Sequence, residues 1–588
     1  MNEYHDLKKL SSIHLDIGFL YSISIFFCFL LYDGVGGYYW FSLIVFALIY
    51  YASNNLDVKI PINIKLVRST LLCAAVILFL NVENLSNSLA GDHWYHLASA
   101  YQIPFQLLPA INNVFPHAAV SFLLWVYSCL ILLLTFFMFF LYKKNKNIYA
   151  ALLIISGCVF TLFFYMKGIA NGDPHPALRL YPMVLLGSLG LNSIVFRLQG
   201  LIPLLILIYW ALSTPSDNKQ RMIFLAFVFT IPVLFFNTFL VEFSIWTFAI
   251  LTIFFITIVK APRLSEKQII TFAIAFTLVS LVRQTAAFGL VLLVLYCLLT
   301  KNTAIIFKLL IIGLPAFFQL FKSATSGTPA TYDPEEMFLN VPQHLDLLGR
   351  LIFSMQGQSF DQILSTSGVL SICLVFFLIL SLTIDKQYKA LTITIISLLL
   401  FWIAFHSIRP LLWGIPRYQL EYIAPLVVTG FYLLQTKLKR TWVLIPSFFV
   451  IVNIYNVASA YQKIPELKID FPEYFTGETP YISEHIFNIE EAINGTYDQC
   501  NGIYNLGNSI SSNLPLVFSG IKVDQFSKLV DATAYKVLSN ATTINSNEKL
   551  KSNECYLETK SGYVEDSYYN QVRNTSVIVH NIAAKKTE

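Results

Sequence analysis

The stretch HAAVSFLLWVYSCLILLLTFFMFFLYKKNK, residues 117–146, decides what kind of protein this is. From Ala118 to Tyr142 it carries no charge, and it stops abruptly at Lys143, Lys144 and Lys146. A helix rises about 1.5 Å per residue, so a run of this length exceeds the roughly 30 Å of a bilayer's hydrocarbon core. Lysines gathered at one end of such a run mark the cytoplasmic side, because Lys and Arg are retained there.

The same pattern recurs outward from this segment in both directions. Apolar runs fall at about 14–32, 37–53, 65–84, 117–142, 148–167, 195–213, 222–240, 243–259, 268–283, 285–300, 304–322, 366–384, 390–405, 419–435 and 441–459. With a cytoplasmic N-terminus, every short Lys-bearing loop lands on one side. These loops hold Lys59, Lys65 and Arg68, then Lys143, Lys144 and Lys146, then Lys219 and Arg221. Lys260, Arg263 and Lys267 follow, then Lys301, Lys386 and Lys389, and Lys437, Lys439 and Arg440. One missed helix would break the alternation. The expected fold is an all-α polytopic membrane protein of about 13–15 transmembrane helices.

Composition agrees. The chain has 588 residues, 56% of them hydrophobic and 12% charged, with mean hydropathy +0.64. Soluble domains carry about 25% charged residues. The net charge of +5 sits mainly in the short loops and forms no basic stripe, which argues against nucleic acid as a partner. Six cysteines (Cys28, Cys73, Cys129, Cys158, Cys297, Cys373) lie in apolar runs and read as small buried hydrophobes. Cys500 and Cys555 lie in the hydrophilic tail, where an oxidising compartment would allow a disulfide. The first apolar run lacks a small-residue cleavage site and reads as a retained helix.

Three parts follow. Residues 1–63 form an N-terminal cytoplasmic tail and an extra transmembrane hairpin, and 64–460 form the main transmembrane domain. Residues 461–588 form a small C-terminal extracytoplasmic domain of α/β character. Outer loops are expected at 85–116, 168–194 and 323–365, and the first has no Lys or Arg.

The first two loops carry the chemistry. GDHWYHLASAYQIP (91–104) puts Asp92 between a long apolar helix and interfacial aromatics. A carboxylate there can act as general base on an acceptor hydroxyl or amine, or help hold a divalent cation beside a phosphate. His93 and His96 stand close by to bind phosphate or move protons. The competing reading is a solvated loop acid. NGDPHPALRLYPMVLLGSLG (171–190) is broken by Pro174, Pro176 and Pro182. Irregular backbone at membrane depth is tolerated only where it lines protein or water, so Asp173, His175 and Arg179 are expected at a cavity. Arg283 and Gln284 stand at a predicted outer turn, and Arg417, Tyr418 and Glu421 at the start of a late span. Arg suits phosphate because its planar fork offers paired donors. The i,i+4 spacing of Arg417 and Glu421 equally fits a plain intrahelical pair.

These stretches resemble a known family. HPALRLYPMVLLGSLGLNSIVFRLQGLI (175–202) is similar to the HPPL … lfG … aR pattern of the integral-membrane GT-C glycosyltransferases. That family includes protein O-mannosyltransferases and the bacterial aminoarabinose-to-lipid A transferase. PRYQLEYIAPLVV (416–428) resembles the RY…P start of a late helix in the same group. The resemblance implies catalytic acids at Asp92 and Asp173, which could also hold Mg or Mn. It implies phosphate contacts from Arg417, with Arg283 or Arg179. The substrates implied are a polyprenyl-phosphate-linked sugar donor and a glycan, lipid or protein acceptor. HPAL replaces HPPL, and Asp92 is followed by His93 where the family often has a second acid.

The expected activity is therefore membrane glycosyl transfer on the periplasmic face of a bacterial inner membrane. Two alternatives stand beside it: a lipid-linked polysaccharide polymerase or ligase, and a lipid-linked glycan flippase or transporter. The polymerase would be expected to use Arg-rich outer loops, yet 323–365 contains only Arg350. A transporter would be expected to carry ionisable residues at mid-span.

Overall fold

The computed structural model describes residues 12–32, 39–56, 58–82, 107, 111–167, 197–213, 218–238, 243–325, 359–408, 416–438, 444–470, 502–505, 522 and 554–557. These residues are mostly helical. Strand β1 (Ser12–Asp16) leads into helices α1 (Ile17–Tyr32) and α2 (Tyr39–Asn55), and β2 (Lys59–Asn63) leads into α3 (Ile64–Leu80). Next come α4 (Val120–Lys144), α5 (Lys146–Lys167) and α6 (Leu201–Ser213), the last preceded by a 3-10 turn at Leu198–Gly200. Helices α7 (Asn218–Thr230), α8 (Pro232–Asn237), α9 (Ser244–Lys260), α10 (Glu266–Ser280), α11 (Ala287–Leu299) and α12 (Ile306–Thr325) follow. The series closes with α13 (Ser359–Ile384), α14 (Lys389–Ile408), α15 (Pro416–Lys437) and α16 (Leu444–Asp470). Each apolar run marked in the sequence holds a helix. The run at 222–240 is broken at Pro232, which lacks the N–H that would continue the ladder, and the helix of the last run continues eleven residues further than its hydropathy suggests.

One feature of the N-terminal part departs from an all-helical reading. Strands β1 and β2 pair antiparallel, with Ser12 opposite Asn63 and Asp16 opposite Lys59, and so close the α1–α2 hairpin at its base. In the tail, β3 (Gly502–Asn505) and β4 (Glu554–Leu557) pair in parallel. Strands of four or five residues are too short to register against long hydropathic runs. Local signals set several helix starts. The Asn63 side chain accepts the N–H groups of Lys65 and Leu66 at 2.9 and 3.3 Å, and Ser265 and Gln268 form a capping box at α10.

Helix α9 forms the centre. Thirteen of its side chains, spread round its whole circumference, are buried, as expected of a helix apolar on every side. It lies along α15, which in turn packs closely on α13. At Gly430 a Cβ would collide with the Leu374 carbonyl. Small residues let helix backbones approach in this way where no hydrophobic drive operates between helices. Ring stacking fills the rest: Phe227 on Phe431 at 3.7 Å between centroids, and Phe288 on Phe401 at 3.5 Å. Pro315 removes one N–H from α12. Three residues earlier, the Ile312 carbonyl accepts the Tyr21 hydroxyl at 2.6 Å and the Thr277 hydroxyl at 3.2 Å.

The periphery is the reverse of a soluble surface. Along α4, Phe122, Leu133, Phe136 and Phe140 are each more than half exposed, and α3 turns Leu72 and Phe79 outward. Contiguous apolar surface on this scale marks contact with lipid or a partner. Among the described residues three helices are long and apolar enough to cross a membrane: Val120–Lys144, Lys146–Phe163 and Thr303–Leu320. Leu370–Ile384 and Lys386–Trp402 pass the same test together, bent by 108° at Asp385. Five further apolar helices, among them Leu198–Ser213 and Ser244–Lys260, are shorter.

The bundle has a basic end and an opposite end, and contacts between helix ends respect the division. At the basic end, Lys308 meets Glu266 at 2.7 Å, and the Tyr296 and Tyr388 hydroxyls donate to the Pro262 and Val259 carbonyls. Burial, with Asp385 alongside, raises the Tyr388 hydroxyl above its ordinary pKa. Lys260 lies 5.2 Å from the Trp210 ring and 5.4 Å from that of Tyr432. Buried Asp16 accepts the Tyr142 hydroxyl at 2.8 Å and has Lys143 at 3.9 Å. These contacts join lysine-bearing helix ends to one another.

Candidate functional site

The end away from the lysines gathers a buried polar group from four separate parts of the chain. Glu421, in the second turn of α15, is fully buried, and its Oε1 accepts Nε of Arg283 at 2.7 Å and the Ser244 hydroxyl at 2.8 Å. Arg283 lies between α10 and α11 with its side chain 19% exposed, and Ser244 is the first residue of α9. Two residues along α9, the Trp246 indole N–H donates to Gln199 Oε1 at 3.3 Å. Gln199 and its near neighbour Arg197 are both buried at the start of α6.

Local backbone makes this convergence possible. Phe243, immediately before Ser244, takes a left-handed conformation with φ of 65° while its ring is buried. A bulky residue there is strained by about 1–2 kcal/mol, and such strain persists only where its surroundings enforce it. The turn starts α9 at the point where Ser244 reaches Glu421. Among the described residues, Glu421 Oε2 is buried with no hydrogen-bond partner, as are the hydroxyls of Thr247, one turn along α9, and Thr285, two residues after Arg283. A cation held against one carboxylate oxygen, with the second oxygen unsatisfied, is an arrangement that can take up a hydrogen-bond donor.

No family model matches this chain, and neither a curated protein nor a solved structure matches it.

Of the residues singled out in the sequence, the structure places Arg283 in this cluster. Asp92, His93, His96, Asp173, His175 and Arg179 lie outside the described residues. The backbone of Arg417 and Tyr418 forms the first turn of α15, one turn before Glu421. Glu421 Oε1 accepts from Arg283 and Ser244 on other elements, and the Arg417 side chain lies outside the described residues. Cys500 lies outside the described residues, and Cys555 is placed as backbone in β4. No group of three His, Cys, Asp or Glu stands close enough to hold a metal among the described residues. Ser244, Gln199 and Arg197 were not singled out. Only Arg197, within the quoted 175–202 stretch, carried a signal, as a cation beside an apolar run.

The tail meets the bundle at this same end. Lys522 forms an antiparallel bridge with Ala119, the residue preceding α4.

Proposed function

We propose that the chain is an integral-membrane glycosyltransferase of the GT-C kind. It moves a sugar from a polyprenyl-phosphate carrier to a cell-surface glycan, lipid or protein acceptor on the non-cytosolic face. The remaining apolar helices complete a set of about 13–15 spans, with the N-terminus cytoplasmic. The observation that carries the reading is the buried Arg283–Glu421 pair, at the ends of α9, α10 and α15 away from their lysines. Charges at membrane depth are costly and mark functional sites by default.

In this reading the donor's isoprenoid tail lies between helices, and its phosphate meets Arg417, with Arg283 or Arg179. Asp92 accepts the proton of the acceptor hydroxyl or amine as that group attacks the anomeric carbon. The new glycosidic bond forms as the bond from that carbon to the phosphate oxygen breaks, with inversion. Polyprenyl phosphate leaves with its charge met by arginine, the kind of fixed stabilisation that lowers such barriers most. Asp92 and Asp173 are the side chains that would hold Mg or Mn.

The test is the purified full chain in liposomes with radiolabelled polyprenyl-phosphate sugars. Label is expected to pass to an acceptor. Asp92→Asn is expected to lower the rate by about a hundredfold or more while the protein stays folded. Movement of label across the bilayer without bond exchange would indicate a flippase, and near-normal turnover in D92N would refute the role given to Asp92.

A further inference from the structure

Glu421 holds one carboxylate oxygen against two donors and leaves the other, equally buried, without a partner among the described residues. Native interiors rarely tolerate this, because a buried acceptor without a donor forfeits the hydrogen bond it had in water. The Thr247 and Thr285 hydroxyls, on the segments that supply Ser244 and Arg283, are in the same condition. Three unsatisfied polar atoms thus lie on the three segments that meet at this ion pair. The geometry points to Glu421 Oε2 as the docking point for a hydroxyl of a sugar, the headgroup of the lipid-linked donor.

This deepens the glycosyltransferase reading and rests on it. Ser244 and Arg283 fix the carboxylate's rotation, so Oε2 presents a set direction and not a swinging acceptor. A hydroxyl donating to an ionised oxygen makes a short, strong bond, and a site built around such a bond discriminates sharply against a ligand lacking the donor. Oε2 is covered by protein. A sugar therefore reaches it only if the neighbouring ends of α9 and α15 part slightly, which makes Glu421 a determinant of selectivity and not of the bond exchange.

Glu421→Gln tests this directly. Oε1 must keep accepting from Arg283 and Ser244, so the amide oxygen takes that place and the NH2 group lands where Oε2 was. An acceptor becomes a donor with little change of volume. The probes are short-chain polyprenyl-phosphate hexoses of the gluco, galacto and manno series, and the same polyprenyl phosphate without sugar, bound to the full chain in detergent. The unmodified chain is expected to bind at least one hexose-bearing probe more tightly than the bare lipid phosphate. E421Q should lose that preference by roughly ten- to a hundredfold, read as the ratio of hexose-bearing probe to bare lipid phosphate in the same variant. Should E421Q fail to fold, Ser244→Ala, which frees the carboxylate to turn, is expected to weaken the preference several-fold. Retention of the preference in every variant that folds, or equal weakening for both kinds of probe, overturns the assignment and leaves water as the partner of Oε2, while the donor reading stands. No preference for any hexose probe in the unmodified chain defeats the donor reading itself, and this inference with it.

Discussion

Arg283 and Glu421 stand 138 residues apart in the chain and 2.7 Å apart in the fold. The pair ties the turn between α10 and α11 to the beginning of α15, with Ser244 bringing in α9 through the same oxygen. Burying two charges costs about as much as their attraction returns, so the pair's net worth is small. Its disruption is not. Arg283→Met is expected to destabilise the chain by about 3–5 kcal/mol, because Glu421 then stays buried without its cation. The double variant R283M/E421L should cost far less than the two single changes added. A double-mutant cycle on unfolding in mixed micelles reads this, and additive losses would mean the charges are not coupled.

At Gly430, α15 comes close against α13. Gly430→Ala drives a methyl group into the Leu374 carbonyl, and backbone cannot give way as a side chain tip can. Overpacking of this order costs about 1–3 kcal/mol. A lowered Tm for G430A in detergent is the expected result. An unchanged Tm would show that the two helices do not meet at this depth.

The Ile312 carbonyl has two outside donors, Tyr21 and Thr277. Tyr21→Phe alone should therefore cost only about 1 kcal/mol, since Thr277 remains. Adding Thr277→Val removes the second donor, and the pair of changes should cost more than their sum. Additivity would indicate that Ile312 is served by other groups.

The alternation of ends predicts where reagents reach the chain. In a bacterial host, cysteine introduced at position 92 or 173 should react with a membrane-impermeant maleimide from outside the inner membrane, and cysteine at position 146 only after the membrane is opened. Labelling of position 92 from the cytoplasm alone would reverse the orientation, and with it the assignment of the two aspartates to the outer face.

Much of this architecture could be read from residue order. Long uncharged runs predict helices wherever they occur, and each such run holds one. Lysine placement separates the two ends because charge and membrane depth are linked. The site was harder to read. Arg283 stood out as a charge at a turn, but its partner lies on another helix, and the nearer spacing offered Arg417 for Glu421. Ser244 and Gln199 are ordinary polar residues whose importance comes only from what the fold sets opposite them. Strands β1 and β2 escaped notice for a similar reason, since five-residue pairs contribute little to hydropathy averaged over a helix length.

The central position of α9 also constrains how the protein is made. Its principal neighbour, α15, is encoded far downstream, and the ribosome needs on the order of ten to thirty seconds to reach it at roughly 5–20 residues per second. Through that interval the face of α9 that α15 will cover awaits its partner. A lesion that halts translation between Lys260 and Pro416 therefore yields a fragment in which α9 keeps its contacts with α6 and α10 but shows the apolar face that α15 would have covered, a surface that quality control can recognise.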